Sequence, residues 1–426
     1  MTPADRDTRR LLRASAVGSL VEWYDFFVFA SAAALVFDRL FFPRTDPLTG
    51  TLLALMTYAV GFVTRPLGGV LFGALGDRRG RKRALVGSLL LMGAATTGVG
   101  LLPTYAQAGP LAPALLVALR LVQGVAVGGE VGGAVLLVAE SLGAERRGEW
   151  TAWPQTGGPA GNVAAAGVLA LLAAALGEAR FAAWGWRVAF LLSGVLVAVG
   201  LWMRARVEES PLFAAYQARR ASRPTAPFGA TLAAHWRALL TVFWVKAGEN
   251  ALFYVFTTFF VVWATRVLHR PRSVALSATL VASAVEVVVI VLAGRWSDQV
   301  GRRPVTAIGL VAAALWAFGL FTLGADVGPL GLTLLATIGG VAHGVVVGGM
   351  SAFFAELFPT AARYTGFSVG YQLASVASGA VAPIIGVALL ARYGSTVPVS
   401  AYAALMAVPA LVALARAPET RGRALD

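Results

Sequence analysis

Long apolar stretches alternate with short polar segments along almost the whole chain. Twelve of these stretches are long enough to cross the roughly 30 Å hydrocarbon core of a bilayer as α-helices. The pattern therefore predicts an all-α polytopic membrane protein with twelve transmembrane helices. The predicted spans are residues 14–42, 51–76, 84–102, 111–139, 149–176, 184–205, 238–265, 273–294, 304–324, 328–355, 364–390 and 396–415.

The basic residues indicate which ends of the spans face the cytoplasm. With the N-terminus placed inside, 24 Arg and Lys side chains fall in inner segments, seven fall in outer loops and four lie within spans. Basic residues concentrate on the cytoplasmic side of membrane proteins, so both termini are expected in the cytoplasm. Orientation then explains the net charge of +14, and no nucleic-acid partner is predicted. The first span is too long for the apolar region of a cleavable signal peptide.

Composition excludes several kinds of chemistry. The chain is 58% hydrophobic and only 13% charged, and it has no cysteine, which excludes a thiolate metal site. Its three histidines are not at ligand spacing, and neither Lys82 nor Lys246 lies in a phosphate-binding G-x-x-x-x-G-K-[ST] loop. No nucleophile–base pair is visible, so an enzyme is not predicted. We expect no metal and no cofactor, and any pumping must draw on a gradient or on another subunit.

The chain repeats itself over about half its length. The segment GALGDRRGRK (73–82) returns as GRWSDQVGRR (294–303), with the aspartates 221 residues apart. Likewise ESLGAERRG (140–148) returns as ELFPTAARYTG (356–366), and a weaker echo links VEESP with APETR near residues 207 and 417. These echoes predict a parallel repeat. The expected organisation is a six-helix half at 1–206, a cytoplasmic connector at 207–236 and a second six-helix half at 237–426.

The strongest motif is the loop that follows the second span. Its glycines suit a tight turn between helices, and its aspartate can accept hydrogen bonds from arginines or from a helix N-terminus. A plain positive-inside stop signal is the alternative interpretation, but the second copy repeats the spacing. The motif residues are Gly73, Asp77, Arg78, Gly80, Arg81 and Lys82, and in the second copy Gly294, Asp298, Gly301, Arg302 and Arg303.

This paired motif resembles the major facilitator superfamily of transporters. Further segments resemble its metabolite:proton symporter group. Two other segments resemble the shikimate-transporter branch, whose relatives also carry 2-oxoglutarate, citrate, or proline and betaine. The group segments are VEWYDFF (21–27), RPLGGVLFGALGDRRGRK (65–82), RLVQGVAVGGEVGGA (120–134), ESPLF (209–213) and FFAELFPTAARYTGFSVGYQLAS (353–375). The branch segments are TAWPQTGGPAG (151–161) and GENALFYVFTTF (248–259).

The resemblance implies how the protein would work. A monomer in the inner (plasma) membrane would rock its two halves about a site near the membrane midplane. Asp77 and the arginines of its loop would form a cytoplasmic gate that latches one half onto the other. Asp298 and Arg302 would be the second-half counterpart, and this second latch is expected to be weaker because Gln299 replaces a basic residue.

The first span contains two acidic residues near its middle, Glu22 and Asp25, which are unfavourable in a bilayer. A charge at mid-bilayer costs roughly 2.5–3.5 kcal/mol on insertion scales. Glu22 and Asp25 are three residues apart, so they share one helix face, which must point into the bundle. Related proton-coupled facilitators place an acid in span one beside an arginine in span four, which implies an Asp25–Arg120 pair. If substrate draws Arg120 away, the acid takes up a proton, so the two events are coupled. A purely structural role for both acids is the alternative.

Other polar groups inside the spans are further candidates. Glu130, Glu249 and Glu286 are candidate proton carriers, and each has a structural alternative. Lys246 could neutralise Glu249 or attract a substrate carboxylate. The substrate-binding candidates that are expected to line the cavity are Tyr24, Arg120, Gln155, Asn162, Lys246, Asn250, Tyr254, His343 and Gln372.

The sequence thus predicts a proton-coupled symporter that imports a small organic acid, shikimate-like or another carboxylate, by alternating access. Its partners would be the solute, protons and the lipid bilayer. Uptake of a zwitterion such as proline or betaine is one alternative. Proton-coupled drug export is another, but the G-P-x-x-G-G pattern of drug antiporters is broken after Gly158-Pro159. A membrane sensor is disfavoured because there is no long soluble domain.

Overall fold

The structure is a computed structural model that describes residues 3–44, 47–220 and 233–425. These residues form α-helices joined by short turns, with no β-strand among them. Ten helical stretches in this part of the chain are long and apolar enough to cross a membrane, or eleven if one helix pair bent by 44° counts as a span. The all-α membrane fold is confirmed, and the span count approaches the predicted twelve.

One long helical stretch accounts for the difference in the span count. Residues Ala144–Ala205 form a single run of 62 residues that covers two predicted spans, 149–176 and 184–205. Such a run would be about 93 Å long as one straight helix, about three times the hydrocarbon core. The backbone leaves the helical conformation at Gly177, where φ is 73°, a region that glycine enters without steric penalty. The two predicted spans therefore lie on either side of Gly177.

The helices are numbered along the chain. The first ten are α1 (Pro3–Ala32), α2 (Asp38–Phe41), α3 (Pro47–Val63), α4 (Arg65–Arg79), α5 (Arg81–Leu101), α6 (Tyr105–Ala108), α7 (Leu111–Ser141), α8 (Arg147–Gln155), α9 (Gly157–Arg180) and α10 (Trp186–Ala205). The others are α11 (Pro211–Arg220), α12 (Trp236–Tyr254), α13 (Phe260–Arg266), α14 (Arg272–Val300), α15 (Arg302–Leu323), α16 (Pro329–Glu356), α17 (Arg363–Ala374), α18 (Ala382–Tyr393) and α19 (Val397–Arg416).

The chain forms two compact units. The first comprises Met1–Ala134 and Gly157–Glu209, and the second comprises Val135–Thr156 and Ser210–Asp426. The end of α7 and the whole of α8 thus pack with the second unit, although they precede residue 206 in sequence. The predicted halves 1–206 and 237–426 and the predicted connector stay predictions, and residues 221–232 of that connector lie outside the described residues.

An aromatic cluster forms part of the core of the first unit. Phe37 packs against Trp186 at 5.5 Å and against Phe41 at 5.1 Å between ring centroids, and Trp186 packs against Phe190 at 5.7 Å. All three contacts have the edge-to-face geometry that aromatic pairs prefer. These rings join the bent end of the first span to the start of α10.

Some backbone details agree with the internal repeat. Gly80 and Gly301 both adopt positive φ, 113° and 125°, and each directly precedes the helix that starts with the basic end of its motif. A π-helical turn interrupts the first span at Ala33–Phe37 and the seventh at Val255–Phe259. Two further π-helical turns, at Phe181–Gly185 and Ser375–Gly379, do not lie at corresponding positions of the repeat. The two copies of the motif therefore share backbone geometry as well as residue spacing.

Close helix contacts explain the regularly spaced glycines of α7. A Cβ atom on Gly128 would lie 2.7 Å from the Gly68 Cα and 2.7 Å from the Gly69 nitrogen on α4. A Cβ on Gly348 of α16 would similarly lie 2.7 Å from the Gly294 nitrogen. Small residues let membrane helices approach this closely, so Gly128 and Gly348 both have a packing role.

Gly128→Ala is expected to destabilise the protein by about 1–3 kcal/mol, the usual cost of overpacking, because α4 and α7 must move apart. The measurement is the thermal unfolding midpoint in detergent. Gly167→Ala on α9 is the matched control, since nothing lies within 4 Å of a Cβ at that position. Equal midpoints for the two variants would show that the α4–α7 contact is not tight.

Candidate functional site

The two acids of the first span are fully enclosed in the first unit. Glu22 is 1% exposed and Asp25 is 0% exposed. Neither carboxylate oxygen of either residue has a hydrogen-bond partner in the described part of the chain. The Ser193 and Thr96 hydroxyls lie near Asp25, and the Arg65 and Arg204 charges act on Glu22. As predicted, the shared helix face points into the protein.

Arg120 does not form the predicted ion pair with Asp25. Its Nη1 donates to the Gln123 side-chain oxygen (3.1 Å) and its Nε to the Tyr58 carbonyl (3.3 Å). The guanidinium also lies over the rings of Phe29, at 4.4 Å, and Phe26, at 5.2 Å. The prediction of direct pairing is therefore wrong in this structure, because aromatic faces and amide oxygens satisfy the cation instead.

A short polar chain nevertheless links Arg120 to the surroundings of Asp25. Gln123 accepts from Arg120 and donates through Nε2 to the Thr96 hydroxyl at 2.8 Å, and Thr96 faces Asp25. Gln123 is fully buried. Gln123 was not among the predicted site residues, although an amide one turn from Arg120 within a span is a detectable signal because buried amides need partners.

Glu130 has a direct cationic partner. It pairs with Arg204 of α10, and the Ser88 hydroxyl donates to the other Glu130 oxygen at 3.4 Å. Arg204 Nη1 also donates to the Leu85 carbonyl at 2.8 Å. Arg65, which is also buried, lies over the Phe62 ring at 4.0 Å. The structure thus provides the structural contacts expected for Glu130 and leaves its predicted proton role untested.

The second unit brings four predicted residues together. Lys246 pairs with Glu249 on α12 and lies 4.4 Å from the Tyr371 ring centroid. The other Glu249 oxygen is 2.9 Å from Nε2 of His343 on α16. His343 Nδ1 is 2.5 Å from the carboxylate of Glu286 on α14. The sequence anticipated the Lys246–Glu249 pair, but it did not connect that pair to His343 and Glu286.

The remaining lining candidates lie in different settings. The Tyr24 hydroxyl donates to the Ala189 carbonyl at 2.8 Å, so its hydrogen bond joins α1 to α10. Asn250 approaches the Ser375 hydroxyl at 3.4 Å, and Gln155 is buried with its amide nitrogen unpartnered among the described residues. Asn162 is half-buried, whereas Tyr254 and Gln372 are buried. No described contact brings these candidates into one cluster.

The first motif loop is closed by an acid that the sequence analysis did not select. Arg81 Nη1 donates to Asp77 at 2.6 Å, within the motif. The Glu209 carboxylate accepts from the backbone nitrogens of Arg81 (3.0 Å) and Lys82 (3.2 Å). Glu209 therefore caps the N-terminus of α5, where a negative charge is favourable.

The second motif loop has the same arrangement and an additional contact. Arg302 donates to Asp298 at 2.6 Å, and Glu419 accepts from the backbone nitrogens of Arg302 (2.9 Å) and Arg303 (3.1 Å). Asp298 also accepts from the nitrogens of Gly148 and Glu149 at the start of α8, at 2.8 and 2.9 Å. The contacts described here use Asp298 rather than position 299, so Gln299 does not prevent them.

Glu356 is the centre of a buried ionic network in the second unit. Its carboxylate accepts hydrogen bonds from Arg147 Nη1 at 3.0 Å, Arg302 Nε at 3.3 Å and the Thr420 hydroxyl at 2.6 Å. A second pair, Arg363 with Glu140 at 2.8 Å, lies in the same unit. Four residues of these contacts were not among the predicted site residues, although all lie in the repeated segments: Glu140, Arg147, Glu356 and Arg363.

Glu419 gives this network a pH-dependent contact outside the spans. Burial acts to raise the pKa of the Glu419 carboxyl, but hydrogen bonds from the Arg302, Arg421, Arg303 and Thr420 backbone nitrogens outweigh it and the pKa is lowered. A carboxyl with a lowered pKa stabilises the fold above its unfolded-state pKa, and this contribution is lost as pH falls through the folded-state pKa.

Glu419→Gln is therefore expected to lower the thermal midpoint at pH 7. The difference from wild type should shrink as pH falls into the acid range, because protonated Glu419 resembles glutamine. Thermal unfolding between pH 7 and pH 3 checks this. A difference that is the same at every pH would show that the charge of Glu419 does not stabilise the fold.

Comparison with known proteins identifies the family. Residues 12–226 match the family "Sugar (and other) transporter", and residues 266–425 match "Major Facilitator Superfamily". The inner membrane metabolite transport protein YhjE of Escherichia coli K12 is 38% identical, with 98% of this chain and 95% of the relative covered. The shikimate transporter of the same strain is 37% identical (90% and 88%), and its proline/betaine transporter is 31% identical (99% and 85%).

A solved structure shows the same fold. The proton:xylose symporter XylE of E. coli, bound to 6-bromo-6-deoxy-D-glucose, superposes with a TM-score of 0.81 at 18% sequence identity, with 99% of this chain and 98% of that chain covered. The matches extend over both copies of the repeat and both motif loops. The chain belongs to the major facilitator superfamily and is a multi-pass membrane transporter rather than an enzyme.

Proposed function

We propose that this protein imports a small organic acid together with protons, by alternating access of its two halves. The observation that carries the proposal is Asp25, a carboxyl inside a membrane span that is fully buried and accepts no hydrogen bond in the described residues. An isolated charge there is costly. An acid that binds and releases a proton during each cycle gives that position a function.

Two features support a carboxylate as substrate. Lys246 places an ammonium group inside the second unit, and Arg120 places a guanidinium inside the first. The shikimate transporter, a relative at 37% identity, supports the same class of solute. Intramembrane cations of this kind mark substrate pathways in membrane proteins.

A zwitterion such as proline or betaine is the second candidate. The Lys246–Glu249 pair sets opposite charges side by side, which suits a solute that carries both. The proline/betaine transporter at 31% identity supports this reading. An anion needs only the cation of the pair, so the two candidates differ in how they use Glu249.

We propose that the ionic network of the second unit serves as the gate on the cytoplasmic side. It joins residues 140–149, which belong by sequence to the first half, to Asp298, Glu356 and Arg363 of the second half. Opening that side would require these contacts to separate. The proposed location is the inner membrane, with both termini in the cytoplasm and the protein acting as a monomer.

Orientation can be tested directly because the chain has no cysteine. Ala424→Cys near the C-terminus and Glu178→Cys in the predicted outer loop are labelled in intact cells with a membrane-impermeant maleimide. We expect label at residue 178 only. Label at residue 424 would reverse the proposed orientation.

The function is tested in proteoliposomes loaded with a pH-sensitive dye. Shikimate, 2-oxoglutarate, citrate, proline and betaine are added separately. Internal acidification with a carboxylate supports the proposal, and acidification with proline or betaine alone supports the second candidate. Alkalinisation would indicate exchange and would overturn symport. No response to any solute would remove these five substrates from the proposal.

A further inference from the structure

Four ionisable side chains form one continuous chain inside the second unit. It runs from Lys246 to Glu249, then to His343, and ends at Glu286. Three helices contribute to it: α12, α14 and α16. All four side chains are at least nine-tenths buried. Their order alternates cation and carboxylate, with the imidazole between two acids.

The hydrogen-bond geometry determines where protons can be. His343 Nε2 faces a Glu249 oxygen at 2.9 Å, and its Nδ1 faces a Glu286 oxygen at 2.5 Å. A neutral imidazole has one N–H donor, whereas an imidazolium has two, and an ionised carboxylate can only accept. Two ionised carboxylates therefore require a protonated ring between them. With Lys246 also charged, the four groups then carry no net charge.

The surroundings of the imidazole supply no other charged partner among the described residues. The ionisable groups in line with the imidazole are Lys246 and Glu249 of α12 and Glu286 of α14. Tyr371 of α17 faces Lys246. The Phe253 ring lies 5.1 Å from the His343 ring. The Glu286 side chain also packs close to Gly344, in an apolar setting beside Val289. Charges in such a setting are held by one another rather than by water.

We propose that these four residues form a carboxylate-exchange site. An anionic substrate replaces Glu249 as the ion-pair partner of Lys246, while the imidazolium of His343 continues to neutralise Glu249. The inference deepens the proposed function, since it assumes that the solute is an anion. Without the ring proton, removal of Lys246 would leave Glu249 and Glu286 as two buried charges with no cation between them. Glu286 acts as a positioning residue, because it holds the second N–H of the ring.

This arrangement makes substrate affinity depend on the ring proton. Binding of a carboxylate is strong only while His343 is an imidazolium, because only then does Glu249 retain a partner when Lys246 turns away. No covalent bond forms or breaks in this exchange. The proton stays on the ring, and one ion pair is exchanged for another.

The first experiment needs no substrate. The chain has three histidines, and in a His235→Gln, His269→Asn background the remaining ring is His343. Asparagine is chosen at 269 because that residue has a positive φ of 51°, which Asn tolerates. With ¹⁵N-labelled histidine in detergent at pH 7, we expect both ring nitrogens at imidazolium shifts. A neutral tautomer at pH 7 would overturn the proposal.

The second experiment measures binding of shikimate, 2-oxoglutarate and citrate by thermal-shift titration between pH 6 and pH 9. For wild type we expect affinity for the bound carboxylate to fall as pH rises and the ring is deprotonated. His343→Gln should bind at least about tenfold more weakly at pH 6, a loss of about 1.4 kcal/mol, and should lack this pH dependence. Glu286→Gln should shift the profile along the pH axis.

The control is Glu178→Gln, an exposed position that should reproduce the wild-type profile. Unchanged pH dependence in both His343→Gln and Glu286→Gln would overturn the exchange site even if a carboxylate is transported. If no carboxylate binds to wild type while the imidazolium is present, the proposed substrate class and the exchange site both fail. The two failures are thus separable.

Discussion

Asp25→Asn is expected to abolish substrate-driven proton uptake while leaving the protein as stable as wild type or more so. The carboxyl group is fully buried and accepts no hydrogen bond among the described residues, so the substitution removes a buried acid without breaking a hydrogen bond. Asparagine has nearly the same shape, and its amide can donate to the nearby Ser193 and Thr96 hydroxyls. Loss of coupling without loss of stability is the behaviour of a proton carrier.

The measurement pairs acidification of dye-loaded proteoliposomes with thermal unfolding of the same preparation. Glu130→Gln is the comparison variant, because Glu130 is also a buried intramembrane acid but pairs with Arg204. It should lower the unfolding midpoint, since it leaves Arg204 without its partner charge. If Asp25→Asn still acidifies the vesicles, the transported proton is carried elsewhere, and the first-unit acid has a structural role.

The fold could be predicted from the sequence because membrane helices need long apolar runs and because the two halves repeat. Gly80 and Gly301 carry the same backbone conformation, as their matching motifs require. The spans on either side of Gly177 were both anticipated, although no long polar loop separates them in the structure. The π-helical turn at Ala33–Phe37 could not be predicted, since no proline or glycine marks it in the sequence.

The site was predictable in residue type and much less so in pairing. Ionisable residues are rare in membrane spans. Their positions inside apolar runs therefore identify the candidates Asp25, Arg120, Lys246 and His343. Which groups meet depends on helix rotation and tilt, which a single sequence does not encode visibly. The Arg120 guanidinium therefore contacts Gln123 and aromatic rings rather than Asp25. His343 contacts two acids, Glu286 and Glu249, that are 57 and 94 residues away in the sequence.

Glu356→Gln is expected to be the most destabilising single substitution in the network, at about 3–5 kcal/mol. Both carboxylate oxygens are used: one accepts from Arg147 and the other from Arg302 and Thr420. Glutamine keeps the shape, but it offers one acceptor oxygen and no charge. Arg147 and Arg302 are both buried. Arg147 then loses its partner charge, and Arg302 keeps only Asp298.

The thermal midpoint in detergent measures this loss, and Glu145→Gln, an exposed acid in the neighbouring loop, is the control that should have almost no effect. A double-mutant cycle with Arg147→Gln identifies the cause. If the cost comes from the orphaned arginine, the double variant should lose less than the two single variants together, by about 0.5–3 kcal/mol. Strict additivity would mean that Glu356 and Arg147 do not stabilise one another, and the proposed gate would then lose its central contact.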